Sequence, residues 1–212
     1  MKLVLVSDTH EQHGKVKVPD GDVLIHAGDL TYRGSYYPTL EAVSWMKKQP
    51  HKHKLFIAGN HDYYFEKNPE ESIRQLIGEG IHYLETSSVT IDGVKFWGCP
   101  YTPRFFDWAF NADRGPYIKT HYWDHIPDDT DVLITHGPPR GYLDQAAPHK
   151  KSEHLGCDDL LDAVLRVKPK VHVFGHIHGG YGYARFQETQ FYNASIVDEA
   201  YKPVNKPWEV EI

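Results

Sequence analysis

The sequence predicts an α/β protein with extra antiparallel strands, in which two β-sheets pack together with helices outside. Three observations carry this. Strand-length apolar runs recur: KLVLVS at 2–7, DVLIHA at 22–27, KLFIA at 54–58, DVLIT at 131–135 and KVHVF at 170–174. They are rich in Val, Ile or Phe and alternate little, which is how strands buried on both faces read. Helical patterns fill several intervals between them, and two segments read as hairpins.

Leu40, Val43 and Met46 step by three within a helix at 39–49. Asn68-Pro69-Glu70-Glu71 offers an N-cap, a proline at the first helical position and a glutamate three residues after the cap. Ile73, Leu76 and Ile77 then form one apolar face, and Gly78 and Gly80 end the helix. From Asp158, Leu160/Leu161 and Val164/Leu165 form a stripe, with Arg166 and Lys168 near the end and Pro169 as the stop. SVTIDGVKFWG at 88–98 turns at Asp92-Gly93, and YGYARFQETQFYNAS follows at 181–195.

The chain has 212 residues and no internal repeat or linker, so residues 1–212 read as one domain. Lys plus Arg number 23 and Asp plus Glu 29, a net charge of −6, which argues against broad, salt-driven nucleic-acid binding. Mean hydropathy is −0.56 and no apolar run approaches the ~18 residues of a membrane span, so a soluble protein is expected. The run Leu3–Val6 is too short for a signal peptide. The only cysteines, Cys99 and Cys157, make no disulfide framework and fit a reducing compartment, the cytoplasm. Histidine is over-supplied at 15 residues, which makes a metal site worth seeking.

The chemistry follows the strands. After the first comes Asp8-Thr9-His10, then Gly28-Asp29, Gly59-Asn60-His61-Asp62, His136-Gly137 and Gly175-His176-Ile177-His178. Each alone is an ordinary turn or loop. Together they place Asp, Asn or His at the C-terminal ends of five buried strands, where open α/β sheets bind ligands. Asp8, His10, Asp29, Asn60, His136, His176 and His178 supply three oxygen donors and four imidazoles. That exceeds one zinc site and suits two metals sharing a carboxylate at ~3.5–4 Å. A mixed N/O set without thiolate favours Mn²⁺, with Fe or Zn²⁺ as alternatives.

DTH, GD, GNHD, a lone strand-end histidine and GHIH, in that order from 8 to 178, resemble the calcineurin-like metallophosphoesterase superfamily. GCPYTP at 98–103, IPDDTDVLITHGPPRG at 126–141, VHVFGHIHGGYG at 171–182 and NAS at 193–195 are further similar to its MPPED-type branch of metallophosphodiesterases. The resemblance implies a four-layer α/β/β/α sandwich. It implies that Asp8, His10, Asp29 and His178 hold one metal, with Asp29 bridging to a second held by Asn60, His136 and His176. His61 would face the substrate as proton donor or phosphate clamp, oriented by Asp62.

Two divalent ions sharing a water make hydroxide available near neutral pH and clamp a phosphoryl oxygen. Two metals (+4), Asp8 and Asp29 (−2) and hydroxide (−1) leave +1, which a phosphodiester anion would neutralise and a monoester dianion would overshoot. The expected activity is therefore hydrolysis of small phosphodiesters such as cyclic nucleotides. A nuclease or phosphatase of the same superfamily, or a scaffold that has lost its metals, are the rival readings; the intact ligand set speaks against the last. Arg104 and Arg140 lie in loops that could reach phosphate or base, and Tyr101, Phe105 and Phe106 could stack a base. Tyr63-Tyr64-Phe65 reads equally as pocket wall or packing surface. Cys99 and Cys157 read as buried small apolar residues. His13, His51, His53, His149 and His154 read as solvated loop residues.

Overall fold

The computed structural model describes residues 1–146 and 153–212; His149 lies outside them. The five apolar runs are strands: β1 (Lys2–Val6), β2 (Val23–Ala27), β3 (His53–Ile57), β9 (Val132–Thr135) and β10 (Val171–Phe174). Both expected hairpins form, β5 (Ser87–Ile91) with β6 (Val94–Cys99), and β11 (Gly182–Phe186) with β12 (Thr189–Asn193). Asp92 and Gly93 both have positive φ, the backbone of a tight two-residue hairpin turn.

One sheet runs β13-β1-β2-β3-β4, where β4 is His82–Tyr83 and β13 is Trp208–Glu211. Its strands β1 to β4 are parallel and β13 is antiparallel on the edge. The other runs β11-β12-β10-β9-β6-β5, parallel through its middle with an antiparallel hairpin strand at each edge. β7 (Thr102–Pro103) and β8 (Asn111–Ala112) form a small separate pair.

Alternate residues of each strand face opposite layers. Leu3, Leu5, Ile25 and Ile57 of the first sheet meet Phe96, Ile134 and Val173 of the second in the core between the sheets. Val4, Val6, Leu24 and Phe56 face outward onto α1 (Tyr36–Lys47) and α3 (Glu70–Ile77), through Val43, Met46, Ile73 and Leu76. Trp97, Leu133, Phe174 and Phe191 face α4 (Pro116–His121) and α5 (Asp158–Val167), through Ile118, Leu160 and Val164. The layers are therefore α/β/β/α, and their burial explains why the strands lack alternation: both faces are covered.

The expected cap at Asn68 is corrected. A short helix α2 (Tyr63–Lys67) precedes α3; Asn68 closes it, donating from Nδ2 to the Tyr64 carbonyl at 2.9 Å, and Pro69 is the cap of α3. Phe65 is buried against Phe56 and Tyr83, while Tyr63 and Tyr64 stay half-buried. His51 is buried and His53 belongs to β3, because both lie where the chain enters the sheet; neither is a solvated loop residue. His154 bonds the buried carboxylate of Asp144 at 2.6 Å. Cys99 and Cys157 are buried free thiols, and burial pushes Cys99 up to about 12.

Candidate metal centre

The C-terminal ends of both parallel regions converge on one edge of the sandwich. Ser7 at the end of β1 joins the second sheet through its amide to the Ala194 carbonyl, 2.9 Å. Asp8, His10, Asp29 and His176 have positive φ, a strained conformation for residues with side chains, of the kind found at functional sites. Glycines make the approach possible. A Cβ on Gly59 would lie 2.3 Å from Asp29 Oδ1, and one on Gly175 would lie 2.0 Å from Asp8 Oδ2.

Backbone amides aim the carboxylates. The His176 amide donates to both Asp8 oxygens at 3.0 and 3.1 Å. The His61 amide donates to Asp29 Oδ1 at 2.8 Å, which leaves Oδ2 facing the centre. Carbonyls aim the imidazoles in turn. His10 Nδ1 lies 3.1 Å from Thr31 O, His61 Nδ1 2.8 Å from Tyr32 O, His136 Nδ1 2.9 Å from Ala27 O and His178 Nδ1 3.2 Å from Asp198 O. A carbonyl can only accept, so each Nδ1 carries a proton, and a ring that holds no second proton points an Nε2 lone pair inward.

Those inward atoms crowd together. Asp29 Oδ2 lies 3.2 Å from His136 Nε2, 3.7 Å from His10 Nε2 and 4.0 Å from His61 Nε2. Asp8 Oδ1 is 3.5 Å from His178 Nε2, which is 3.4 Å from His10 Nε2. Asn60 Oδ1 is 2.9 Å from His136 Nε2 and 2.8 Å from His176 Nδ1. Lone pairs facing lone pairs at these distances need positive charge among them, so the donor set fits divalent cations. Two ligand groups are apparent, Asp8/His10/His178 and Asp29/His136/His176, while Asp29 also groups with His10 and His61.

The electrostatics show the same demand for positive charge, which a proton on His136 meets where no cation does. Burial alone would push His136 down, but the Asp29 carboxylate outweighs it and holds the ring up to about 9. Asp29 lies well below the usual carboxylate range, burial being overcome by His136, and Asp8 lies at about 2 through His178. Burial drives His10 to about 4 and His176 to about 3.

The structure thus brings all seven proposed ligands together, with His61 beside them. Asp62 departs from its expected role. Its carboxylate accepts from the amides of Leu30, Thr31 and Gly59 and from Thr31 Oγ1, at 2.8 to 3.1 Å, and none of its bonds goes to the His61 ring. The ring is oriented by the Tyr32 carbonyl; Asp62 instead ties the 29–31 loop to the 59–62 turn. Burial, then the charge of Asp29, raises Asp62 to about 6 despite these donors.

A cleft of about 380 Å³ opens over the centre. Arg104 and Phe105 line it, but the Arg104 guanidinium is paired with Asp113 at 2.6 Å. Arg140 is not among the lining residues: it turns to Asp158 at 3.4 Å, at the acidic start of α5. Tyr101 is packed, stacked on Tyr122 at 3.8 Å, and Phe106 is exposed outside the lining. Sequence reasoning missed Trp108, packed at a tilt on His61 with ring centroids 4.2 Å apart, and Arg114, Glu199 and Tyr201, which also line the cleft. They stand in loops with no motif around them; only their places in space mark them.

Residues 1–180 match the family model of the calcineurin-like phosphoesterases. Human metallophosphoesterase domain-containing protein 1 is 39% identical over 234 aligned residues, covering 100% of this chain and 71% of that protein. The Caenorhabditis elegans UPF0046 protein K07C11.7 is 40% identical over 220, covering 98% and 73%. The solved structure of TT1561 of Thermus thermophilus aligns with a TM-score of 0.63 at 11% identity, over 91% of this chain and 88% of that one, a likeness of fold. A carboxylate–imidazole cluster on this sandwich defines a metal-dependent phosphoester hydrolase. The chain belongs to the calcineurin-like phosphoesterase family, and within it is similar to the MPPED-type branch.

Proposed function

We propose that the protein is a phosphodiesterase for small nucleotide esters, cyclic nucleotides among them, working with two divalent ions. The observation that carries this is Asp29 Oδ2, which faces His136 on one side and His10 on the other and so joins two ligand groups. Asp8, His10 and His178 would hold one ion, Asn60, His136 and His176 the other, with Asp29 between. The N/O donor set suits Mn²⁺ first and Fe or Zn²⁺ after it. When bound, such ions acidify water and offset phosphoryl charge.

His61 supplies the proton. In its charged form Nδ1–H donates to the Tyr32 carbonyl and Nε2–H is free for the leaving oxygen. Water oxygen bonds phosphorus, the phosphorus–oxygen bond to the leaving group breaks, and that oxygen takes the Nε2 proton; the proton lost by water restores the imidazolium. The pairing of Arg104 with Asp113 and of Arg140 with Asp158 withdraws two guanidiniums from the second charge of a monoester, which favours a diester; Arg114 in the cleft lining is tied to the Gly156 and Leu155 carbonyls. Buried free Cys99 and Cys157 suit the cytoplasm.

The test is a chelator followed by metal restoration and a substrate panel. Chelation should abolish hydrolysis and Mn²⁺ should restore it. The bis(4-nitrophenyl) ester should be cleaved with higher kcat/KM than 4-nitrophenyl phosphate, and at least one cyclic nucleotide should be turned over. A monoester preference with no cyclic nucleotide cleaved would reassign the protein as a phosphatase.

A further inference from the structure

A second groove, about 690 Å³, lies beside the metal cleft and shares one wall with it, Trp108. Arg33 and Lys67 line it, with the rings of Tyr36, Tyr63 and Tyr64. The charges are uncommitted. Among the described residues, Arg74, Arg104, Arg140 and Arg166 are paired with carboxylates, and Arg114 and Arg185 bond carbonyl oxygens. Among the described residues the Arg33 guanidinium has neither kind of partner, and Lys67 Nζ sits 4.4 Å over the Tyr63 ring with no described carboxylate within ion-pair distance. Two exposed cations in a groove walled by aromatic rings, Lys67 over one of them, in a protein of net charge −6, form a local site for an anion attached to a stacking group.

The groove is built into the catalytic edge. Gly34 presses on the first turn of α2, where a Cβ would meet the Tyr63 amide nitrogen at 2.2 Å. The Gly34 amide bonds Thr31 Oγ1 at 2.9 Å, and Thr31 is held by Asp62. One loop therefore serves both places. The Tyr32 carbonyl holds the His61 ring, and the next residue, Arg33, enters the groove. Trp108 packs at a tilt on His61 and continues into the groove wall toward Tyr63, 6.1 Å away. A group attached to the leaving oxygen at His61 would pass along Trp108 toward Arg33 and Lys67.

We propose that this groove binds a second phosphate carried by the leaving nucleoside, so that the preferred substrates are short phosphorylated oligonucleotides, cleaved in preference to diesters lacking that phosphate. This rests on the phosphodiesterase reading and on His61 facing the leaving group. Charge attraction at an exposed groove is screened by salt, so the preference shrinks as ionic strength rises.

The probes are dithymidine phosphate, the same dinucleotide with a terminal phosphate at its 5′ or its 3′ end, and bis(4-nitrophenyl) phosphate, all with the Mn²⁺-loaded protein. A terminal phosphate at one end should raise kcat/KM about tenfold at low salt, and product analysis should show that it leaves on the departing nucleoside. The double variant Arg33→Ala/Lys67→Ala should erase that gain while changing bis(4-nitrophenyl) phosphate cleavage less than about twofold. Both positions are exposed, so folding should be unaffected, which a melting curve checks. If dithymidine phosphate is cleaved and neither terminal phosphate helps, or the gain survives the double variant, the groove is not a phosphate subsite and the diesterase reading stands. If no diester is cleaved, both proposals fall.

Discussion

His61 is held on three sides. Its Nδ1 is fixed by the Tyr32 carbonyl, its face by Trp108 at an interplanar angle of 34°, and its edge by His10, 4.8 Å away. Only Nε2 is left to act, 4.0 Å from Asp29 Oδ2. As a proton donor, His61→Ala should lower kcat on a cyclic nucleotide by roughly 10²–10⁴-fold while the bound metal, measured by elemental analysis, stays near wild type. The loss should shrink on a 4-nitrophenyl ester, whose leaving group needs no proton. Equal losses in kcat for both would remove the proton-donor role, and metal loss would make His61 a ligand. The seven ligands and His61 were legible in the sequence because each sits one to four residues past a buried strand. Trp108 was not, because its position beside His61 depends on how the 103–112 loop folds back. Nor was the committed state of Arg104 and Arg140, since their partners Asp113 and Asp158 are set by tertiary packing.

At the scale of elements, the site depends on loops from two sheets touching without side chains in the way. Gly175, after β10, is where the loops of the two sheets press closest, since a Cβ there would lie 2.0 Å from Asp8 Oδ2 and 2.2 Å from Ser7 Oγ. Gly175→Ala must push β1 and β10 apart or turn Asp8 out of the centre. It should cost on the order of 1–3 kcal/mol of stability and lower metal occupancy and activity together. Gly14→Ala is the control: nothing lies within 4 Å of its Cβ and its φ needs no glycine, so melting temperature and metal content should match wild type. Equal metal content in both variants would show that the close approach does not position Asp8. The strands carrying these loops were readable because burial on both faces leaves an unbroken apolar run. β13, with only Val210 fully buried on a sheet edge, left no such run, and α2 is too short for a period to show.

At the scale of the molecule, the excess of histidine has a second consequence, outside the metal centre. His172 of β10 and His26 of β2 are fully buried, and burial holds each at about 3. Thr135 Oγ1 donates its only proton to the Gly137 carbonyl at 2.7 Å, so His172 Nε2 must donate to it at 2.8 Å. His172 Nδ1 is then a buried acceptor without a partner. Protonating it would place a charge between the second sheet and α5. The sign follows from linkage. Above pH 6.5 the ring is neutral whether the chain is folded or not, and it adds no pH dependence. Below 6.5 the unfolded chain takes up a proton that the folded chain refuses until about pH 3, so stability falls with pH across that window. Each such ring removes about 1.4 kcal/mol per pH unit, or about 2 kcal/mol between pH 7 and pH 5. The lowered carboxylates act elsewhere: Asp8, held at about 2, loses its contribution only below its ordinary value of 3.8. Urea unfolding of the Mn²⁺-loaded protein at pH 7 and pH 5 tests this. His172→Phe should be destabilised at both pH values by overpacking, yet its loss between them should be smaller than wild type by about 2 kcal/mol. If the variant loses as much as wild type, the acid sensitivity belongs to other groups and His172 is not a buried neutral ring.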